Sequence, residues 1–286
     1  ARRYFYSKGQ PRKNRVLCIN NSFHGRTIAA IFASNSKKAI EGFKPKVDGF
    51  DHFNFGDHKG LEKAITNRTA AIMVETIMGE GGIKVIPDFC LKGLRKLCNK
   101  KKILLILDEV QCGIGRTGKL FAHEWAGVTP DVMAIAKGIG GGFPLGAVLT
   151  TKAVGSAMQP GTHGSTYGGN PLACAVGSAV LQEVEGAGFL AQVQNRAVYF
   201  RQNLARLLDE NGDIFADLRG RGLMIGMQCK ITNNDVVAAL RDENLLTVGA
   251  GDNVLRILPP LNVTQEEIDM AIAALEKACA KLRAGA

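Results

Sequence analysis

Five short apolar runs constrain this chain more than any other feature: VLCIN (residues 16–20), AAIMVE (70–75), ILLILD (103–108), DVMAIA (131–136) and GAVLT (146–150). None alternates polar with apolar residues, and all are rich in β-branched or aliphatic side chains, so they read as strands buried on both faces. A strand covered on both faces needs helices against the sheet. One such helix is legible between the second and third runs, opening at Pro87 and placing Leu91, Leu94, Leu97 and Cys98 on one face. The first two thirds of the chain therefore reads as a parallel α/β sheet.

After about residue 170 the pattern changes. Residues 181–208 read as mostly helical, GLMIGMQC (222–229) alternates like a strand, and Thr264, Gln265, Glu266 and Glu267 form a capping box ahead of Ile268, Ile272, Leu275, Cys279 and Leu282. The 286 residues suffice for one large domain or two of ordinary size. The expected division is a large domain over 1–184 and a smaller α+β domain over 185–286.

Charge and composition narrow the function. Lys and Arg exceed Asp and Glu by 36 to 26, with basic clusters at residues 2–15 and 92–102. Nucleic-acid binding would call for base-stacking aromatics among those clusters, and only Tyr4, Phe5 and Tyr6 stand there, so a solvated helix face and attraction of small anions explain the charge more simply. Seven cysteines without C-x-x-C spacing and five scattered histidines indicate neither a disulfide framework nor a metal site, and they point to a reducing compartment. No apolar run is long enough to span a bilayer, and ARRYFYSKGQPRKNR at the start has no apolar core for a signal sequence. A cytoplasmic protein is expected, with neither nucleic acid nor membrane as partner.

The segment LLILDEVQCGIGRTGKL (104–120) offers three chemistries. GIGRTGKL differs by one residue from a phosphate loop, but Leu120 stands where a hydroxyl must reach magnesium, and the acidic strand directly before it denies the loop a strand of its own. Gly113, Gly115 and Gly118 match G-x-G-x-x-G, yet five residues (Asp108 to Cys112) separate the strand from the first glycine, where a dinucleotide fold needs a tight turn at once. The third reading pairs Asp108, at the carboxyl end of one buried strand, with Lys137, just past the end of the next. Open α/β sheets bind ligands at that edge. An amine able to form a Schiff base and a carboxylate able to keep a pyridine nitrogen protonated are what pyridoxal phosphate chemistry requires. On spacing alone a structural ion pair, or two unrelated surface charges, would explain the same residues. In AKGIGGGFPLG, Gly138, Gly140, Gly141 and Gly142 let the backbone turn sharply after Lys137, and Phe143 and Pro144 stiffen its exit.

Six stretches carry a resemblance: SFHGRT (22–27), VETIMGEGG (74–82), LDEVQCGIGRTG (107–118), AKGIGGGFPLGA (136–147), HGSTYGGNPLA (163–173) and LRILPPL (255–261). In this order and spacing the chain resembles the class III, ornithine-type aminotransferases of fold type I, and within them the members acting on acetylornithine. The resemblance implies pyridoxal 5′-phosphate as cofactor and a mainly parallel central sheet with a smaller α+β C-terminal domain. It makes Lys137 the Schiff-base lysine, which when freed moves a proton between Cα and the cofactor's C4′, and Asp108 the partner of the pyridinium nitrogen. Gln111 is implied to bond the ring hydroxyl, with Asp108, Glu109, Val110 and Gln111 lining the cofactor together with His24 and Glu75. Phe23 is implied to stack on the ring, and Thr166 to hold the phosphate across a homodimer interface with Ser165 beside the substrate. Arg26 resembles a substrate-carboxylate clamp. Arg256 resembles a switch arginine, paired with Glu80 while the amino donor is bound and released to grip 2-oxoglutarate.

The implied reaction moves the δ-amino group of N2-acetylornithine to 2-oxoglutarate, forming glutamate, in arginine biosynthesis. Ornithine, succinyl-diaminopimelate and 4-aminobutyrate are the alternative donors. From other classes, a nucleotide-binding ATPase and a catalytically silent binding protein or inactive fragment stay open. The family's glycine-rich, phosphate-cradling turn lies upstream of the first strand, and this sequence begins after it, so the 286 residues alone are expected to bind cofactor weakly and turn over poorly. Thr76 and Met78 stand where the family usually carries proline and glutamine, a change expected to bear on substrate preference.

Overall fold

The computed structural model describes residues 1–284. In chain order its strands are β1 (Arg15–Ile19), β2 (Phe50–Phe53), β3 (Thr69–Glu75), β4 (Ile77–Met78), β5 (Lys84–Val85), β6 (Leu104–Asp108), β7 (Val132–Ile135), β8 (Ala147–Thr150), β9 (Phe215–Arg221), β10 (Met224–Cys229), β11 (Val248–Ala250) and β12 (Val254–Ile257). The chain divides into two compact units: residues 1–76, 86–111 and 123–182 form the first, and 77–85, 112–122 and the chain from 183 onward the second. Segments 77–85 and 112–122 group with the second unit, where Ile77, Ile83, Cys112 and Ala122 bury themselves with Met224 and Val254.

The first unit is built on one sheet of order β2-β1-β3-β6-β7-β8. All neighbours are parallel except β7 and β8. All five expected strands are present, with two corrections. GAVLT is not a parallel strand buried on both faces: β8 runs antiparallel to β7, is exposed along its length, and bonds only to β7 at the sheet's edge. The glycine-rich connection from β7 holds one 3₁₀ turn, Lys137–Gly140, and no crossover helix, so only an antiparallel return fits. The opposite edge, β2, escapes a reading based on apolar runs because its sequence is FDHF. Inside, Val16, Cys18, Ala70, Ala71 and Leu104 pack with Phe5 and Val154. The helix after Pro87 spans Asp88–Lys101 and buries Leu91, Leu94 and Cys98, ending where Lys102 takes a left-handed backbone.

In the second unit a four-stranded antiparallel sheet has the order β11-β12-β10-β9. Helices Phe189–Glu210, Asn233–Asp242 and Gln265–Ala284 cover it, joining Phe200, Leu204, Ile225, Leu255, Ile272 and Leu275 in one core. The helical reading of 181–208 is interrupted, since one helix ends at Val184 and the next begins at Phe189 after Gly188, whose φ of 82° no side-chain-bearing residue adopts cheaply. The capping box forms: the Thr264 N–H donates to Glu267 Oε2 at 2.7 Å and the Glu267 N–H to Thr264 Oγ1 at 3.2 Å.

Candidate active site

Four adjacent parallel strands of the first unit deliver their carboxyl ends to one edge. Phe23 and His24 follow β1, Glu75 ends β3, Asp108 ends β6, and Lys137 follows β7. Register makes the arrangement tight: Glu75 is the partner of Asp108, and Asp108 of Ala134. Lys137 lies three residues beyond Ala134, just past the end of β7 at Ile135.

Glu75 and Asp108 are both buried acids on neighbouring strands, and each is held by its own donor. The Phe23 N–H donates to Glu75 Oε1 at 2.7 Å. Asp108, 8% exposed, has Oδ2 at 2.8 Å from His24 Nδ1 and accepts from the Val110 N–H on Oδ1 at 3.1 Å. His24 is pinned in turn by its N–H to Ser34 Oγ at 2.8 Å. Its Nε2 is buried and has no hydrogen-bond partner. Placing the ring proton on Nδ1 therefore serves Asp108 and avoids burying an N–H without an acceptor.

Glu109, the next residue, turns the other way. It is fully buried, and Oε1 accepts from the His123 N–H at 2.8 Å and from Thr76 Oγ1 at 3.4 Å, with His123 Nδ1 at 2.9 Å. Its side chain thus anchors the 3₁₀ turn Ala122–Ala126, while its N–H donates to Ala134 O at 2.9 Å and extends the β6–β7 pairing. Sequence reasoning missed His123 altogether. Scattered histidines give no spacing signal, and a pair formed across a long loop leaves none.

Lys137 has φ 49°, a left-handed backbone uncommon outside glycine, and opens the 3₁₀ turn whose Ile139 and Gly140 are buried. Gly141 is needed where it stands, since a Cβ there would lie 2.9 Å from Val180 Cγ2. Arg26 is exposed, with its guanidinium 5.2 Å from the centre of the Phe23 ring. Ser165 and Thr166 occupy an exposed loop; the Ser165 hydroxyl accepts from the Gly168 N–H at 3.1 Å, and among the described residues neither is bonded to the cluster above.

The second unit supplies a separate charge pair. Arg256 Nη1 of β12 lies 2.5 Å from Oε1 of Glu80, which stands in the loop between β4 and β5. The arginine side chain is 10% exposed and the glutamate 37%.

The first unit's edge fits a pyridoxal ring. Asp108 is a buried carboxylate at a strand end that accepts from the Val110 N–H and bonds the His24 ring, a group of the kind that faces a cationic ring nitrogen. The carboxyl edge of a parallel sheet is also where such a ligand finds backbone and side chains converging.

Comparison with known proteins gives one answer. The aminotransferase class-III family matches residues 1–279. The acetylornithine aminotransferase of Mesorhizobium japonicum is 55% identical over 286 residues, which are 100% of this chain and 70% of that relative. The N-acetylornithine aminotransferase of Stenotrophomonas maltophilia aligns with TM-score 0.83 at 35% identity, covering 100% of this chain and 71% of the other. The ornithine aminotransferase of Toxoplasma gondii, described with partial occupancy of PLP at its active site, aligns at 0.93 and 34% identity over 99% of this chain and 69% of its own. The chain belongs to the class III aminotransferases.

Proposed function

We propose that the protein is a pyridoxal-phosphate-dependent transaminase that moves the δ-amino group of N2-acetylornithine to 2-oxoglutarate, a step of arginine biosynthesis. The observation that carries this reading is the register of β3, β6 and β7, which lines up Glu75 and Asp108 and brings the backbone of Lys137 to the same edge. Acetylornithine aminotransferases at about half identity over the whole chain support the choice of donor.

When bound, pyridoxal phosphate supplies an electron sink for the carbon that bears the transferred amine. The chain's own residues do the rest. Lys137 holds the cofactor covalently and, once released, carries a proton to and from that carbon: the δ carbon for acetylornithine, the α carbon for glutamate. Asp108, oriented by His24, keeps the ring nitrogen protonated. Phe23 offers a ring face, and Val110 and Gln111 complete the turn around the cofactor. Arg26 grips a substrate carboxylate, and Arg256 alternates between Glu80 and a carboxylate of 2-oxoglutarate.

We infer a homodimer in which Thr166 of one copy holds the cofactor phosphate of the other, with Ser165 beside the substrate. The exposed Tyr167 in their loop and Leu172 just after it support burial by a second copy. All seven cysteines are free thiols, which suits the reducing cytoplasm. The test is titration with pyridoxal phosphate followed by visible absorbance in wild type and Lys137→Ala, with acetylornithine, ornithine, succinyl-diaminopimelate and 4-aminobutyrate compared at equal cofactor occupancy. Loss of the signal in the variant and preference for acetylornithine are expected; an unchanged signal, or a different preferred donor, overturns the corresponding part.

A further inference from the structure

The loop that carries Glu80 lies over one row of the second unit's sheet. Arg219 of β9, Gly226 of β10 and Arg256 of β12 are register partners, so both arginines rise from the same face on either side of a residue without a side chain. Two strand spacings put them about 10 Å apart. Gly226 is bare because the loop fills its place: a Cβ there would lie 2.8 Å from Cβ of Ile83, which is wholly buried and held at φ 51°.

Arg256 reaches one side of the loop through Glu80, and Arg219 reaches the other. Nη1 of Arg219 lies 3.4 Å from the Gly82 carbonyl and 2.6 Å from Asp252 Oδ2, Nε donates to Asp217 Oδ2 at 2.7 Å, and Nη2 to Gln228 Oε1 at 2.5 Å. Asp252 also pairs with Lys84 at 3.5 Å, so a carboxylate in the β11–β12 turn ties β9 to β5. Turn and loop meet backbone to backbone: the Gly251 N–H donates to Glu80 O at 2.8 Å, and a Cβ on Gly82 would lie 2.6 Å from Gly251 O. The Arg219 hydrogen bond holds the Asp252 carboxyl below its ordinary range, so the contact persists at neutral pH.

We propose that Arg219, braced by Asp252, is a positioning residue that sets how readily Arg256 leaves Glu80, and so divides the enzyme's affinity between amino donor and 2-oxoglutarate. The proposal rests on reading Glu80 and Arg256 as a switch. A dicarboxylate needs the Arg256 guanidinium uncovered, whereas a donor with no second carboxylate to offer there is served by the closed pair. Anything that lets the loop drift uncovers the arginine and favours the first over the second.

The experiment uses the holoenzyme with Asp252→Asn, Arg219→Gln and Glu80→Ala, measuring both half-reactions and, by calorimetry, binding of 2-oxoglutarate. For Asp252→Asn and Arg219→Gln the KM for 2-oxoglutarate falls and that for the donor rises, each by about threefold, with kcat little changed and Arg219→Lys in between. Glu80→Ala separates the two constants further in the same sense. If Glu80→Ala separates them while the other two variants do not, or move both constants together, the positioning role is overturned and the switch stands. If Glu80→Ala separates nothing, the switch is overturned and the positioning role with it. Should Arg219→Gln fail to fold, Asp252→Asn, at a partly exposed side chain, carries the test alone.

Discussion

The first unit holds its charged groups at the ends of parallel strands, and the second holds its pair between a loop and an antiparallel strand. At the strand ends, sheet register fixes neighbours directly: Asp108 is buried, clamped by two donors, and adjacent to Glu75. In the second unit Glu80 and Arg256 stand 176 residues apart in sequence, and the glutamate is 37% exposed. A cofactor bound throughout the cycle calls for one geometry, whereas two alternating substrates call for a contact that can break. The difference in burial accords with the duties proposed for the two.

Five measurements would break or sharpen this contrast. The largest effect is expected for Lys137→Ala, with turnover down on the order of 10⁴-fold in a steady-state assay, since both the covalent hold and the proton carrier are lost. Asp108→Asn should slow both half-reactions alike by about 10² to 10³-fold in stopped-flow, because the fixed charge serves both. Glu80→Ala should move the two substrates in opposite directions, lowering the KM for 2-oxoglutarate and raising that for the donor so that their ratio changes by about tenfold or more; equal effects on both substrates would erase the distinction. Gly82→Ala should lower thermal stability by about 1–3 kcal/mol, since φ is 101° and the new Cβ meets Gly251 O. Thr264→Ala, at the cap of the last helix, should cost about 1 kcal/mol through the lost cap and leave both KM values untouched.

Legibility in the sequence followed the same divide. The apolar runs and the residues that end them expose Asp108 and Lys137, because a buried parallel strand advertises itself by composition and its end by the first charge. Edges were harder: β2 carries Asp51 and His52 between its phenylalanines, and the orientation of β8 depends on how short its glycine-rich approach is. Glu80 and Arg256 were reachable only through resemblance to a family. Arg219 and Asp252 were not reachable at all, since their role depends on register across three strands and on two backbones touching at Gly82 and Gly251. His123 belongs with them.

The opposed directions of Asp108 and Glu109 have one further consequence. β6 is LLILD, apolar on both faces, so sliding it by one residue against β3 or β7 would forfeit little burial. Such a slip would carry both acids off their partners, Asp108 from His24 and Glu109 from His123. Two imidazoles on opposite sides thus act as a ruler for the central strand, rejecting a misalignment to which oily packing is blind.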